Sequence, residues 1–150
     1  MKPLPLGQQD FKQIIENEMI YVDKTHLLHQ MLPNKYYFLS RPRRFGKSLL
    51  ISTLKHLFLG EKDLFKGLWI EDKMEWKQHP VIHIAFNTLD YKEQGLRKVL
   101  NEQLEAIAAD YQVKLTREGY SGKFQELIEK LSEQEKVVVL IDEYDKPIID

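Results

Sequence analysis

Apolar positions along this chain fall into short unbroken runs and stripes at helical spacing, and their order predicts an architecture. Tyr36-Tyr37-Phe38-Leu39, Val81-Ile82-His83-Ile84-Ala85-Phe86 and Val137-Val138-Val139-Leu140-Ile141 have the length and the β-branched or aromatic character of buried strands. Between and after them, Leu50, Leu54, Leu57 and Phe58, then Leu96, Leu100, Leu104, Ile107 and Tyr111, then Phe124, Leu127, Ile128 and Leu131 recur at the spacing of amphipathic helices. Gly60 supplies a stop for the first of these. Ahead of them, Asp10 with Gln13 three residues on signals a helix start, and residues 19–22 read as a short strand. Asp23 can cap a second helix with Leu27, Leu28 and Met31 on one face, and Pro33-Asn34 turns the chain. Strand, helix, strand, two helices and strand make an alternating α/β order, which predicts a parallel sheet with covered faces. There is no internal repeat, low-complexity tract or Gly/Ser linker.

The connection after the first run carries the chemistry. Arg41-Pro42-Arg43-Arg44-Phe45-Gly46-Lys47-Ser48 lies between an apolar strand and a helix, where a phosphate-binding loop would lie. Gly46 lets the backbone approach a phosphate, Lys47 reaches the outer phosphates, and the Ser48 hydroxyl suits magnesium. The amides of Arg43, Arg44, Phe45, Gly46, Lys47, Ser48 and Leu49 would form the cradle. Arg41 stands where the motif G-x-x-x-x-G-K-[ST] has its first glycine, so the tripeptide alone also fits a basic turn before a helix. A second signal is independent of it. The last apolar run ends in Asp142-Glu143, at the strand end that borders the ligand crevice of an open α/β sheet. Asp142 is placed to hold the metal and Glu143 to orient and deprotonate water. The expected fold is therefore a three-layer α/β/α domain of the P-loop NTPase type.

Tyr21-Val22-Asp23-Lys24-Thr25, the loop 41–48, Asp63-Leu64-Phe65-Lys66-Gly67-Leu68 and Asp142-Glu143-Tyr144-Asp145-Lys146-Pro147 together resemble the predicted AAA-ATPase-like family of bacterial proteins, over nearly the whole chain. The resemblance implies that arginine at the first loop position is a family variant, that the nucleotide is ATP, and that further ATPase strands and a domain similar to PD-(D/E)XK nucleases commonly follow. It also implies a strand, later in sequence, between the phosphate-loop and carboxylate strands. On this reading, 1–34 are an N-terminal segment packing on the nucleotide site, and 35–150 are an ATPase core that is incomplete at its C-terminus, after the Walker B strand. Sensor and arginine-finger residues are not located here. A nucleic acid or protein partner would be engaged through the downstream domain.

Composition changes this picture little. A formal charge of −1 gives no global attraction to polyanions or membranes. The absence of cysteine leaves no disulfide framework or thiolate metal site, and no run approaches the roughly 18 apolar residues of a membrane span. A cytoplasmic location is expected. His26 and His29 lack a third metal ligand, and His79 with His83 gives no metal geometry. Trp69 and Trp76 are expected to pack loops, with base stacking as the other role. Tyr21 or Val22 would wall an adenine pocket or pack the N-terminal segment.

The leading expectation is an ATP-binding, ATP-hydrolysing conformational switch. Lys47 and Glu143 carry the chemistry, and Ser48 and Asp142 hold magnesium. A nonhydrolytic nucleotide sensor is the alternative; a nucleic-acid-binding module using Arg41, Arg43, Arg44 and Lys47 is the third reading.

Overall fold

The computed structural model describes residues 1–32, 35–40, 45–86 and 95–144. The chain divides into two compact units, Met1–Gln78 and His79–Asp150.

The first unit contains helices α1 (Phe11–Glu16), α2 (Thr25–Met31) and α3 (Lys47–Phe58), followed by a 3₁₀ turn at Lys62–Phe65. The Asp10 cap forms as the sequence predicts: its extended backbone precedes α1, and its carboxylate accepts from the Gln13 N–H. Gln13 does not complete a capping box, because the Asp10 N–H donates instead to Gln8 Oε1 at 3.0 Å. Phe11 and Ile14 point inward from α1 and are fully buried, as are Leu57 of α3, Phe65 and Ile70. Rings dominate this core, with Phe11 4.7 Å from Phe65 and Phe65 4.9 Å from Trp76 between centroids. Gly60 ends α3 in a left-handed conformation: its N–H donates to Leu57 O, and the Glu61 N–H reaches back to His56 O.

Three expectations for this unit need correction. The run 36–39 is outside the sheet of the described residues and largely exposed, Tyr36 at 91% and Phe38 at 74%. Four apolar residues specify extended backbone, but burial requires a neighbouring ladder, which hydropathy does not supply. Residues 19–22 are not a strand either; Ile20 N–H donates to Pro3 O and Met19 N–H to Ile14 O. On α2, Leu28 is buried whereas Leu27 is exposed, so the inward stripe is narrower than the pattern suggests.

The second unit is β1 (Val81–Ala85), α4 (Leu96–Asp110), α5 (Gly119–Ser132) and β2 (Val138–Asp142). The strands pair in parallel, Val81 with Val138 through Ala85 with Asp142. A parallel pair needs a long crossover, and the two helices provide it. Ile82 and Ile84 pack with Leu104 and Ala108 of α4 and Leu127 and Leu131 of α5 into one buried cluster. Tyr111 fastens the end of α4 to the start of β1, since its hydroxyl accepts from Val81 N–H at 2.7 Å. Glu126, only 4% exposed, fastens the approach to α5: it accepts from the N–H groups of Thr116 and Arg117 and the Thr116 hydroxyl at 2.8–2.9 Å. β2 departs from the fully buried strand its sequence suggests, because Leu140 and Asp142 are buried while Val139 and Ile141 are 38% and 46% exposed. The result is a mixed helix–strand chain compatible with the α/β class. Among the described residues, no helix is long and apolar enough to cross a membrane.

Candidate nucleotide site

Gly46 is the N-cap of α3, with φ 72° and ψ 22°. That left-handed conformation is the reason for glycine here, since a Cβ would meet nothing within 4 Å. The Gly46 carbonyl accepts from Leu50 N–H at 3.0 Å, so the helical ladder starts at the motif. The amides of Lys47, Ser48 and Leu49 precede the first such bond, and among the described residues there is no side-chain cap. No acidic residue occupies the first turn, which leaves the positive end of a 12-residue helix uncompensated by carboxylates of its own. Lys47, Ser48 and Leu49 are half-buried, and Phe45 before them is 64% exposed. Arg41, Arg43 and Arg44 lie outside the described residues.

The carboxylate pair stands at the carboxyl end of β2 in the second unit. Asp142 is the last strand residue, paired in register with Ala85 and 6% exposed. Among the described residues its carboxylate accepts no hydrogen bond and joins no ion pair. Glu143 follows with φ 51°, one of three described non-glycine residues at positive φ. The other two, Glu18 and Gln112, end α1 and α4, where left-handed backbone closes the last turn. Glu143 has no helix to end. Its backbone breaks the alternation of β2 directly after the buried aspartate, a feature that hydropathy does not register. Gly46, Lys47, Ser48 and Leu49 thus lie in one unit, and Asp142 and Glu143 in the other.

At Tyr21 the pentapeptide 21–25 is a packing element. The Tyr21 ring meets Phe11 edge-on at 5.1 Å, and burial raises the pKa of its phenol against the opposing hydrogen bond with Thr53, with the Asp23 charge adding to the rise. Val22 is 70% exposed. Asp23 accepts from Thr25 N–H and hydroxyl and from Trp69 N–H at 2.6–2.9 Å. Burial raises its pKa, but those hydrogen bonds, led by Trp69, and the nearby His26 outweigh it, so the net shift is downward. Trp76 is a packing residue, with its indole N–H on Glu71 O at 2.8 Å. Trp69 is 44% exposed, with the His26 and His29 rings edge-on at 6.2 and 5.6 Å. His29 is engaged with Lys73 O and His79 with Lys136 O. Among the described residues no cluster of three metal-ligating side chains forms.

No solved structure matches the chain. A protein of Azotobacter chroococcum mcd 1, described as an uncharacterized protein in the vnfD 5' region, is 42% identical over 155 residues. The match takes in 99% of this chain but 30% of that relative's length. The family described as predicted AAA-ATPase matches residues 5–150. With a left-handed glycine opening the lysine–serine helix and a buried aspartate closing a parallel strand, the chain belongs to the predicted AAA-ATPase-like family.

Proposed function

We infer that this chain is an ATP-binding and ATP-hydrolysing module that works as a conformational switch, built on a three-layer P-loop core. The observation that carries the reading is the N-terminus of α3: a left-handed Gly46, then Lys47 and Ser48, with no acidic residue in the first turn and, among the described residues, no side-chain cap. The buried Asp142 supports it as a cation ligand. Residues 1–34 then serve as a segment packed on the nucleotide-binding part, and 35–150 as its core.

Ser48 and Asp142 would hold magnesium, which, when bound, neutralises charge on the phosphates. The Lys47 ammonium would bind the outer phosphates, and the amides of Arg43, Arg44, Phe45, Gly46, Lys47, Ser48 and Leu49 would orient them. Glu143 would accept a proton from the attacking water, with its carboxylate aimed by the left-handed backbone after β2. Adenine as the base and the bacterial cytoplasm as the setting are part of this proposal, and the family's description as a predicted ATPase supports the choice of nucleotide.

The test is calorimetry of magnesium-ATP binding at physiological salt together with phosphate release, on the longest natural form of the protein. Lys47→Ala removes a charge-assisted contact worth roughly 1.5–3 kcal/mol, so affinity falls about tenfold or more. Glu143→Gln keeps the shape but loses the base; binding persists while turnover drops on the order of a hundredfold. Binding by the parent without turnover would replace the hydrolase by a nonhydrolytic sensor. Steeply salt-dependent oligonucleotide binding without nucleotide affinity would favour the nucleic-acid module.

A further inference from the structure

Ser48, Ser52 and His56 stand four residues apart on α3 and so form one stripe along the helix. The start of α1 sits on two of the three. The Asp10 carboxylate takes the Gln13 N–H, and the Phe11 N–H donates instead to Ser52 Oγ at 2.9 Å, across 41 residues of chain. The Phe11 ring lies 6.2 Å from the His56 ring, one turn further on. Phe11 is fully buried, so its N–H depends on a partner within the protein, and the Ser52 hydroxyl is that partner. Ser52 is also the first buried residue of α3 counted from Gly46, because residues 47–51 are all half-buried. The Phe11–Ser52 bond is therefore made at the buried position of α3 nearest the motif, one turn from Ser48.

We propose that Ser52 is a positioning residue for Ser48: by accepting from the Phe11 N–H it ties the start of α1 to the serine stripe and holds the first turn of α3 where the Ser48 hydroxyl meets magnesium-ATP. The nucleotide part of this proposal rests on the function inferred above. The far end of α3 has its own supports, the buried Leu54 and Leu57 and the left-handed Gly60, so loss of the Ser52 bond is felt toward Gly46.

Substitutions at Ser52 separate this role from general packing. Ser52→Ala removes the acceptor and Ser52→Thr keeps it; Ser52→Cys, with a weakly accepting sulfur, replaces the alanine variant if that does not fold. Amide exchange at Phe11 reads the bond itself. Exchange at Leu50, whose N–H donates to Gly46 O at 3.0 Å, reads the first turn of α3, and exchange at Leu59, on Lys55 O at 2.9 Å, reads the last. In Ser52→Ala, exchange is expected to rise about tenfold at Phe11 and about fivefold at Leu50, with Leu59 changed less than about twofold and Ser52→Thr like the parent. Alanine is the better helix former, so a purely local effect would slow Leu50 instead. Magnesium-ATP affinity, measured well below the unfolding midpoints, falls about threefold or more in Ser52→Ala and is retained in Ser52→Thr. With Ser48→Ala already present, Ser52→Ala lowers it less than about 1.5-fold, since no hydroxyl remains to be placed. Unchanged exchange at Phe11 or Leu50, or an equal rise along all of α3, overturns the proposal. So does an equal loss of affinity with and without the Ser48 hydroxyl, or unchanged affinity in Ser52→Ala when Lys47→Ala lowers it. If the parent does not bind magnesium-ATP, the inferred function fails and takes the nucleotide part with it, while exchange at Phe11 and Leu50 still supports or overturns the hold on the first turn.

Discussion

Glu126 holds more hydrogen bonds than any other carboxylate described. Arg117 N–H, the Lys130 ammonium and the Thr116 N–H and hydroxyl together pull its pKa from the ordinary 4.5 to about 2, with the Arg117 bond the largest cause and burial opposing them. Because the folded value is the lower one, the stability it contributes is fully present above about pH 4.5 and is lost as pH falls toward 2. Urea unfolding of Glu126→Gln and the parent, compared from pH 7 down to 2, will show a gap that is constant at neutral pH and narrows below about pH 4.5. A gap that stays constant down to pH 2 would mean that the carboxylate charge is not what holds residues 116–117. The chain carries 23 acidic residues, and nothing in their spacing distinguishes Glu126. Its partners come from ten and nine residues upstream, through a loop whose path hydropathy does not define.

At the scale of elements, helix ends were the most legible features and strand burial the least. Asp10, Gly46 and Gly60 each act where a local rule places them, because capping and left-handed backbone depend on a few neighbouring atoms. The two structural glycines are distinguished by their surroundings. At Gly60, φ is 73° and a Cβ would lie 3.1 Å from the backbone carbon and oxygen of Lys77, so alanine there adds a clash to the conformational strain. Gly60→Ala should cost about 1–3 kcal/mol, read as a lower urea midpoint at unchanged slope. Gly46→Ala meets no neighbour and should cost stability less, with its effect falling on ligand affinity. Equal loss of stability at both sites would show that the Lys77 contact does not matter.

At the scale of the whole molecule, the residues named in the proposed function are found in both units. Lys47 and Ser48 open α3, and Asp142 and Glu143 close β2. If Ser48 and Asp142 share one metal ion, manganese-ATP in place of magnesium-ATP will broaden the amide resonances of Ser48 and Asp142 together, and Ser48→Ala and Asp142→Asn will each abolish the broadening at both. Broadening confined to the α3 amides would separate the aspartate from the metal. The chain spans about 30% of the length of the Azotobacter relative.

What the sequence by itself determined is local or periodic. The β1–α4–α5–β2 order, the start and stop of α3, and the family all follow from runs, stripes and motifs whose information lies within a few turns of chain. What only the tertiary structure decided depends on residues far apart. The apolar run at 36–39 and the outward residues Val139 and Ile141 are exposed because burial is set by what packs against a segment, not by the segment's own hydropathy. The Tyr21 ring meets Phe11, and the Phe11 N–H reaches Ser52 Oγ because α1 and α3 meet there, which no spacing along the chain encodes. Likewise, Gly46-Lys47-Ser48 can be read from the sequence, but the hydrogen bond from the Phe11 N–H to Ser52 Oγ on the same helix joins residues that only folding brings together.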